Sequence, residues 1–523
     1  MILVFAGVGK NIKSATDNKF NSMAYLYAIA CGVFYSLAFP PFNISYLTWI
    51  AFVPLFVISS PSISRFSISN LKLKSFSLGY VAGFIANLVI FYWLWDTFHA
   101  AGLNRITTFS CWIALAGLMA VYFGVFKLLV DAVPHGFLKY FFSAALWVCL
   151  EEIKGFVVTG FPWALLSHSQ VHHLYLIQIS SVFGSPVLSF LIIAVNMSIV
   201  GFISSFLFSV SRLRSAGFHF IFISFLVLST VLFGFLRVRQ SRLLEPNAKS
   251  IKVALLQGNV DQYSKWDDSH EMSIRKTYYD LIQQTLKEKV DLIIWPESSI
   301  PGWIPNEPFY MDWLKHLVEE SAVPSIVGAV SQLENRHLNS AFLFSSTGDI
   351  QAQYSKQHLV PFGEYVPFGK IFSRWIPYLG QLGQFDRGRS PVMFSVRDML
   401  FSPSICYEAI FPRLMNKMKK KGAQVFVNIT NDGWFLGTSA PEQHFNTNIL
   451  RAVENGIPLV RVANTGISGI ISPVGEVVCQ TPLLTKQLVI ADLKVYSVKS
   501  HFSWGERLFL FFNFLLILFV FLR

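Results

Sequence analysis

A thiol, a carboxylate and a lysine, the three side chains that together can run acyl transfer, each stand at the end of an apolar run in this chain. The thiol is Cys406, in Ile405-Cys406-Tyr407-Glu408. It follows residues 399–405, which read as a buried strand, and precedes 409–419, which read as a helix. A cysteine at a strand-to-helix junction meets free backbone N–H groups and the positive end of a helix dipole, and both favour a thiolate. The carboxylate is Glu297, in Trp295-Pro296-Glu297-Ser298; the proline ends the strand and leaves Glu297 at the sheet edge, where open α/β folds bind ligands. The lysine is Lys356, in a Pro/Gly-punctuated stretch running from Tyr354 to Tyr365 that also holds Glu364. A sheltered carboxylate can take the thiol proton. A nearby lysine favours the thiolate and steadies the oxyanion of a tetrahedral intermediate, alongside the backbone N–H of Tyr407. Each residue alone has a plainer reading, as a core thiol, an exposed lysine or a solvated carboxylate. The combination is what points to nucleophilic acyl chemistry.

The elements that must position these groups are of two kinds. The chain has 523 residues, 53% hydrophobic and only 14% charged, with a mean hydropathy of +0.48. A soluble domain carries roughly 25% charged residues, so much of this chain must sit outside water. Apolar segments near 22–39, 44–60, 76–95, 108–130, 140–157, 176–208 and 216–236 suit the ~20 residues that cross a bilayer core. The sixth is long enough to tilt or to continue as an interfacial helix. A last apolar run, 508–522, is flanked by Trp504 and Arg507 on one side and Arg523 on the other, and reads as an eighth span.

Placing Lys10, Lys13, Lys19, Arg65, Lys72, Lys74, Lys127, Lys139, Arg212 and Arg214 on the cytoplasmic side leaves little beyond Arg105 and Lys154 in the opposite loops. This positive-inside bias accounts for part of the net charge of +12 and puts everything after residue 240 on the outer side. No helix-turn-helix, zinc-finger or RNA-binding pattern accompanies the charge, so nucleic acid is not an expected partner. The five cysteines, Cys31, Cys111, Cys149, Cys406 and Cys479, form no CxxC pair and no metal-ligand spacing, so neither a disulfide framework nor a metal site is expected. His172 and His173 are adjacent and point different ways on any regular element, which does not suit a metal pair. Glu151 and Glu152, within the fifth apolar segment, read either as a structural pair or as a lipid-headgroup contact.

Residues 250–495 change character. Strand-like runs at 251–257, 290–295, 325–330, 425–429 and 459–463 alternate with helical stretches at 267–288 and 306–320. The expected organisation is a transmembrane domain over 1–240 with seven spans, an extracytoplasmic α/β domain over 250–495 and a C-terminal transmembrane helix over 506–523.

The order Glu, Lys, Cys within WPES, KQHLVPFGEY and ICYE resembles the nitrilase superfamily of carbon–nitrogen hydrolases. With the spans added, the whole chain resembles the bacterial apolipoprotein N-acyltransferase family, a membrane branch of that superfamily. Further matching pieces are Phe161-Pro162-Trp163, Gln257-Gly258-Asn259, Asn431-Asp432-Gly433-Trp434-Phe435 and Asn464-Thr465-Gly466; many members have alanine where Gly433 stands. The resemblance implies a polytopic α-helical membrane domain of about eight spans plus an αββα sandwich. It implies Glu297 as general base, Lys356 as oxyanion-stabilising lysine, Cys406 as nucleophile and Glu364 as a second glutamate that orients the lysine. Tyr407 and Glu408 would shape the site, and Trp266 would guard the acyl-chain entrance from a loop. It also implies a phospholipid acyl donor such as phosphatidylethanolamine and a diacylglyceryl apolipoprotein acceptor. No cofactor is implied, and a monomer in the bacterial inner membrane, its catalytic domain periplasmic, is expected. The alternatives are a membrane-tethered amidase acting on small amides and a non-enzymatic scaffold or transporter. Intact Glu297, Lys356 and Cys406 weigh against the second.

Overall fold

The structure, a computed structural model, describes residues 22–57, 68–366 and 385–522, apart from residues 135, 158, 209, 263–264, 266–267 and 335. Trp266, the N-terminal lysines and Arg65 therefore lie outside the described residues.

Residues 249–495 are built around two six-stranded sheets. The first has the order β12 (Gln487–Val495), β1 (Lys249–Gln257), β2 (Leu292–Ile294), β3 (Ser325–Leu333), β4 (Arg336–Phe344), β5 (Ile350–Ser355). The second has the order β11 (Val477–Gln480), β10 (Gly469–Ile471), β9 (Leu459–Ala463), β8 (Val425–Thr430), β7 (Met399–Ile405), β6 (Phe394–Val396). Each keeps a parallel core, β1-β2-β3 and β7-β8-β9, with antiparallel strands at its edges. The central strands are buried on both faces, so their side chains divide by the two-residue period of the pleat. In the first sheet Ile251, Val253 and Leu255 of β1, Leu292 and Ile294 of β2 and Ala341 and Leu343 of β4 share a core with Phe401, Val425, Val427 and Ile429 of the second. Ala254, Leu256, Ile293, Trp295, Val327, Phe342 and Phe344 face the other way, against helices Asp268–Thr285 and Pro308–Ser321. Helices Pro412–Lys420 and Ala440–Asn455 cover the far side of the second sheet through Met415, Met418, Phe445, Ile449 and Val453. The result is the expected αββα sandwich, and every strand and helix expected from the sequence is present with ends shifted by a few residues.

The rest of the described chain is helical. Among the described residues five helices are long and apolar enough to cross a membrane: Lys72–Ile90, Arg105–Ala132, Pro186–Phe206, Leu213–Asn247 and Phe502–Leu522. The fifth expected segment is the 18-residue helix Phe137–Lys154, which brings Lys139 at one end and Glu151, Glu152 and Lys154 at the other. The first is the shorter apolar helix Ser22–Ser36.

Two expected spans are interrupted. Over 44–60 the chain forms a 3-10 turn, Ser45–Trp49, and a five-residue helix, Val53–Val57, around Pro54. Backbone groups freed by such a break must be satisfied inside the protein. Asn196 donates to Thr48 O (2.8 Å) and accepts from Phe52 N–H (2.9 Å), while Gln170 donates to Ser45 O (3.2 Å). The 176–208 segment begins as two four-residue helices, Leu174–Ile177 and Ser180–Phe183, and becomes a long helix only from Pro186. His173 is spoken for by Ser45 Oγ, at 2.8 Å from its Nε2.

The two halves are joined by polar contacts. Glu152 pairs with Arg413 (2.9 Å), Tyr407 Oη donates to Gly160 O (3.1 Å) and Asn43 donates to Glu442 (2.8 Å). Glu151 accepts from Leu166 N–H (2.7 Å) and Lys154 donates to Trp163 O (2.7 Å). Both glutamates of the fifth segment thus have partners other than each other, one within the helical part and one across the junction.

Candidate active site

The site lies where β2, β5 and β7 end, on one rim of the sandwich. Glu297 stands three residues beyond β2. Trp295 N–H still bonds to Ile326 O (2.8 Å), after which Pro296 leaves the ladder. The neighbouring strand must come very close here: a Cβ on Gly328 would lie 2.2 Å from Pro296 O and 2.7 Å from Glu297 Cα. Only glycine fits against that turn. The Glu297 carboxylate, 6% exposed, accepts from Asn339 Nδ2 (2.7 Å), Lys356 Nζ (3.3 Å) and the Asn431 N–H (2.8 Å).

Lys356 directly follows β5, and its backbone is held on both sides: its N–H donates to Asn339 O (2.9 Å) and its carbonyl accepts from Gly388 N–H (2.7 Å). The ammonium is 1% exposed and bridges Glu297 Oε1 (3.3 Å) and Glu364 Oε1 (2.9 Å). Burial works against its charge, but Glu297 and then Glu364 outweigh burial and hold its pKa above the ordinary lysine value. Glu364 closes the arrangement by accepting from Asn339 Nδ2 (2.9 Å) and Val360 N–H (2.8 Å). Asn339, which no sequence motif picked out, therefore fixes both carboxylates around one lysine.

Cys406 ends β7 and opens a short 3-10 turn, Cys406–Ile410; the α-helix begins only at Pro412. The expected helix-dipole stabilisation of a thiolate is thus not provided, because a single 3-10 turn carries little dipole. Burial pushes the Cys406 thiol up instead. Glu297 adds to the rise, Lys356 opposes it, and Asp432 adds again. All three charges act on one sulfur. A resting thiol beside a carboxylate base and a lysine can be deprotonated when a substrate arrives and attack a carbonyl whose oxygen the ammonium can hold.

Glu408 is wholly buried and acts as a tie between loops. It accepts from Ile405 N–H (2.8 Å), Gln357 N–H (2.6 Å), His358 N–H (3.1 Å) and Tyr354 Oη (2.8 Å), and so fixes the Cys406 turn to the Lys356 loop. Tyr407 is buried and points to the membrane half.

Beneath the thiol lies a second polar group that the sequence reading did not assign. Arg461 donates to Asp432 Oδ2 (2.7 Å) and Asn428 Oδ1 (2.7 Å), and Asp432 Oδ1 lies 2.9 Å from His444 Nδ1. Burial opposes the Asp432 charge, but Arg461 and then His444 hold its pKa at about 2. Lys265 is also buried within reach of the Glu297 charge; burial lowers its pKa to about 8. Asp432 was quoted as part of a motif without a role. The signal for His444 was its helix: Ala440–Asn455 mixes His, Gln, Asn, Arg and Glu among apolar residues, yet every residue except Glu442 is buried. Cys406, Asp432 and His444 have ligand-type atoms within 4.8 Å of one another, the one such group among the described residues. Its fit to a cation is poor, since Arg461 already occupies the carboxylate with a positive charge.

Cys406, Glu297 and Lys356 stand at strand ends of an αββα sandwich, and residues 252–500 match the carbon–nitrogen hydrolase family. Residues 31–198 match the family described as the apolipoprotein N-acyltransferase N-terminal domain. The chain is 35% identical over 489 residues to an apolipoprotein N-acyltransferase of Geobacter metallireducens, covering 92% of this chain and 91% of the relative. It is 32% identical over 482 residues to the enzyme of the same name from Allorhizobium ampelinum, covering 86% of each. The chain belongs to the apolipoprotein N-acyltransferase family, and is a multi-pass membrane acyltransferase. Its sandwich is also similar to a CN-hydrolase superfamily protein from Xanthomonas campestris, at 18% identity and a TM-score of 0.38, covering 47% of this chain and 91% of that one.

Proposed function

We propose that this protein moves an acyl chain from a phospholipid, such as phosphatidylethanolamine, through a Cys406 thioester to the N-terminal amine of diacylglyceryl-cysteine apolipoproteins. The supporting observation is the lysine shared by the buried Glu297 and the partly buried Glu364, with Lys356 Nζ 3.3 Å from Glu297 and 2.9 Å from Glu364, and with the Glu297 and Lys356 charges both acting on the Cys406 thiol. In the first half-reaction Glu297 takes the Cys406 proton and the sulfur attacks the ester carbonyl carbon. Lys356 and the Tyr407 N–H steady the oxyanion. The C–O bond breaks, Glu297 returns the proton to the leaving lysophospholipid oxygen, and a thioester remains. In the second half the lipoprotein amine attacks the thioester carbon. A C–N bond forms, the C–S bond breaks, and the amine proton passes by way of Glu297 to the sulfur. Glu364 holds Lys356 in place throughout. No cofactor is needed.

The reading places the protein in the bacterial inner membrane as a monomer, with the sandwich on the periplasmic face. Both substrates carry acyl chains, so a site resting on membrane helices has a chemical reason. The test uses full-length protein in phosphatidylethanolamine vesicles with a diacylglyceryl-cysteinyl peptide. N-acylated peptide and lysophospholipid are expected in equal amounts. An unmodified peptide, with small amides hydrolysed instead, would support the amidase alternative.

A further inference from the structure

Cys406 holds a backbone conformation that a side-chain-bearing residue rarely adopts, with φ +51°. The fold must supply what keeps it there. Its carbonyl accepts from Asn428 Nδ2 (3.3 Å) and lies 3.2 Å from His444 Nε2, which donates to it in the tautomer whose Nδ1 accepts from Arg461 Nη2 (3.1 Å). Both side chains are completely buried and are braced from behind by Arg461, which donates to Asn428 Oδ1 and, in that tautomer, to His444 Nδ1. The Cys406 peptide is thus pinned from below as well as by its own 3-10 turn.

The residue before His444 is Gln443, and it reaches the opposite way. Its Nε2 donates to Pro40 O (3.3 Å) and Ile90 O (3.2 Å), and its Oε1 accepts from Trp163 Nε1 (2.8 Å). Ile90 is the last residue of a membrane-spanning helix, and Pro40 follows the helix Ser22–Ser36. The Trp163 ring also packs on the His444 ring, with centroids 5.5 Å apart. Two consecutive residues of one buried helix therefore grip the ends of the membrane helices and the carbonyl of the nucleophile.

We propose that His444 is a positioning residue for the Cys406 thiol, and that Gln443 makes this positioning depend on the seating of the sandwich on the membrane helices. The proposal rests on Cys406 being the nucleophile. Its consequence is that the thiol is aimed only in the docked molecule, so acyl groups are not picked up by a loosened catalytic domain. A misplacement of about 1 Å at a reacting atom can cost on the order of 100-fold in rate.

The test is single-turnover acylation of full-length protein in phosphatidylethanolamine vesicles. His444→Leu should lower the maximal acylation rate about 100-fold while half-saturation by phospholipid stays within about twofold, since His444 touches no substrate. His444→Gln, whose amide can still donate to the Cys406 carbonyl, should recover most of that rate, to within about fivefold of wild type. Gln443→Met keeps the side-chain length but removes all three bonds to the membrane half, along with one to Ser439 Oγ (3.2 Å), and should lower the rate about tenfold with the same unchanged half-saturation. This variant lies away from the polar group under the thiol and covers the case in which His444→Leu fails to fold. The proposal is overturned if His444→Leu or Gln443→Met acylates at the wild-type rate, if the loss appears as weaker phospholipid saturation, or if His444→Gln is as slow as His444→Leu. Wild-type protein that forms no thioester at all would overturn the nucleophile assignment itself.

Discussion

Burial and then Glu297 push the pKa of the Cys406 thiol up, and Lys356 draws it down. The two neighbours therefore have opposite effects on its reactivity when no substrate is bound. Alkylation reports the thiolate fraction. Glu297→Gln should lower the thiol pKa and move the pH profile of iodoacetamide alkylation downward, although acyl transfer is abolished. Lys356→Ala should raise the thiol pKa and move the same profile upward. Profiles shifting in the same direction for both variants would contradict the charge arrangement. Glu408 has a different task. Glu408→Gln places an amide N–H₂ among groups that all donate, and should destabilise the protein by about 2–3 kcal/mol, seen as a lower thermal midpoint in detergent. Glu297, Lys356 and Cys406 were legible in the sequence because each ends an apolar run inside a short recognisable stretch. Asn339, Asp432 and His444 were not, because each acts through a partner distant in the chain. Asn339 holds a carboxylate 42 residues away, and His444 holds a carbonyl 38 residues away. A reading based on local spacing has no access to such pairs.

At the scale of the elements, the apolar content of each segment was readable and its breaks were not. An apolar run of suitable length reads as a continuous helix unless something marks the interruption. Over 44–60 the mark is remote: Asn196, on the helix starting at Pro186, supplies bonds that the interrupted backbone lacks. Asn196→Leu should leave Phe52 N–H and Thr48 O without these partners and cost about 2–4 kcal/mol, measurable as a fall in thermal midpoint. The strands were read more closely, since their ends are marked by Pro, Gly and polar residues. The close approach at Gly328 was visible only in three dimensions. Gly328→Ala forces the Pro296–Glu297 turn away from β3 and should reduce the acylation rate at least tenfold by displacing the base. A wild-type rate in that variant would show that the position of Glu297 is not set by this contact.

For the whole molecule, two unlike halves were evident from composition alone, because a chain with 14% charged residues cannot be soluble throughout. How the halves dock was not evident. The junction is made by scattered single residues such as Gln443, Glu152 and Tyr407, whose partners lie in the other half. The proposed topology follows from the basic loops. Alkaline phosphatase fused after Arg214 should be inactive, and the same reporter fused after Asn247, beyond the following span, should be active. The opposite pattern would place the sandwich in the cytoplasm, away from exported lipoproteins. The central claim concerns one covalent bond. Full-length protein should be incubated with phosphatidylethanolamine and no acceptor, then digested and analysed by mass spectrometry. The account predicts one acyl group on Cys406, released by neutral hydroxylamine and transferred to a diacylglyceryl-cysteinyl peptide as an amide. An acyl group on another residue, or full transfer by Cys406→Ser, would contradict it.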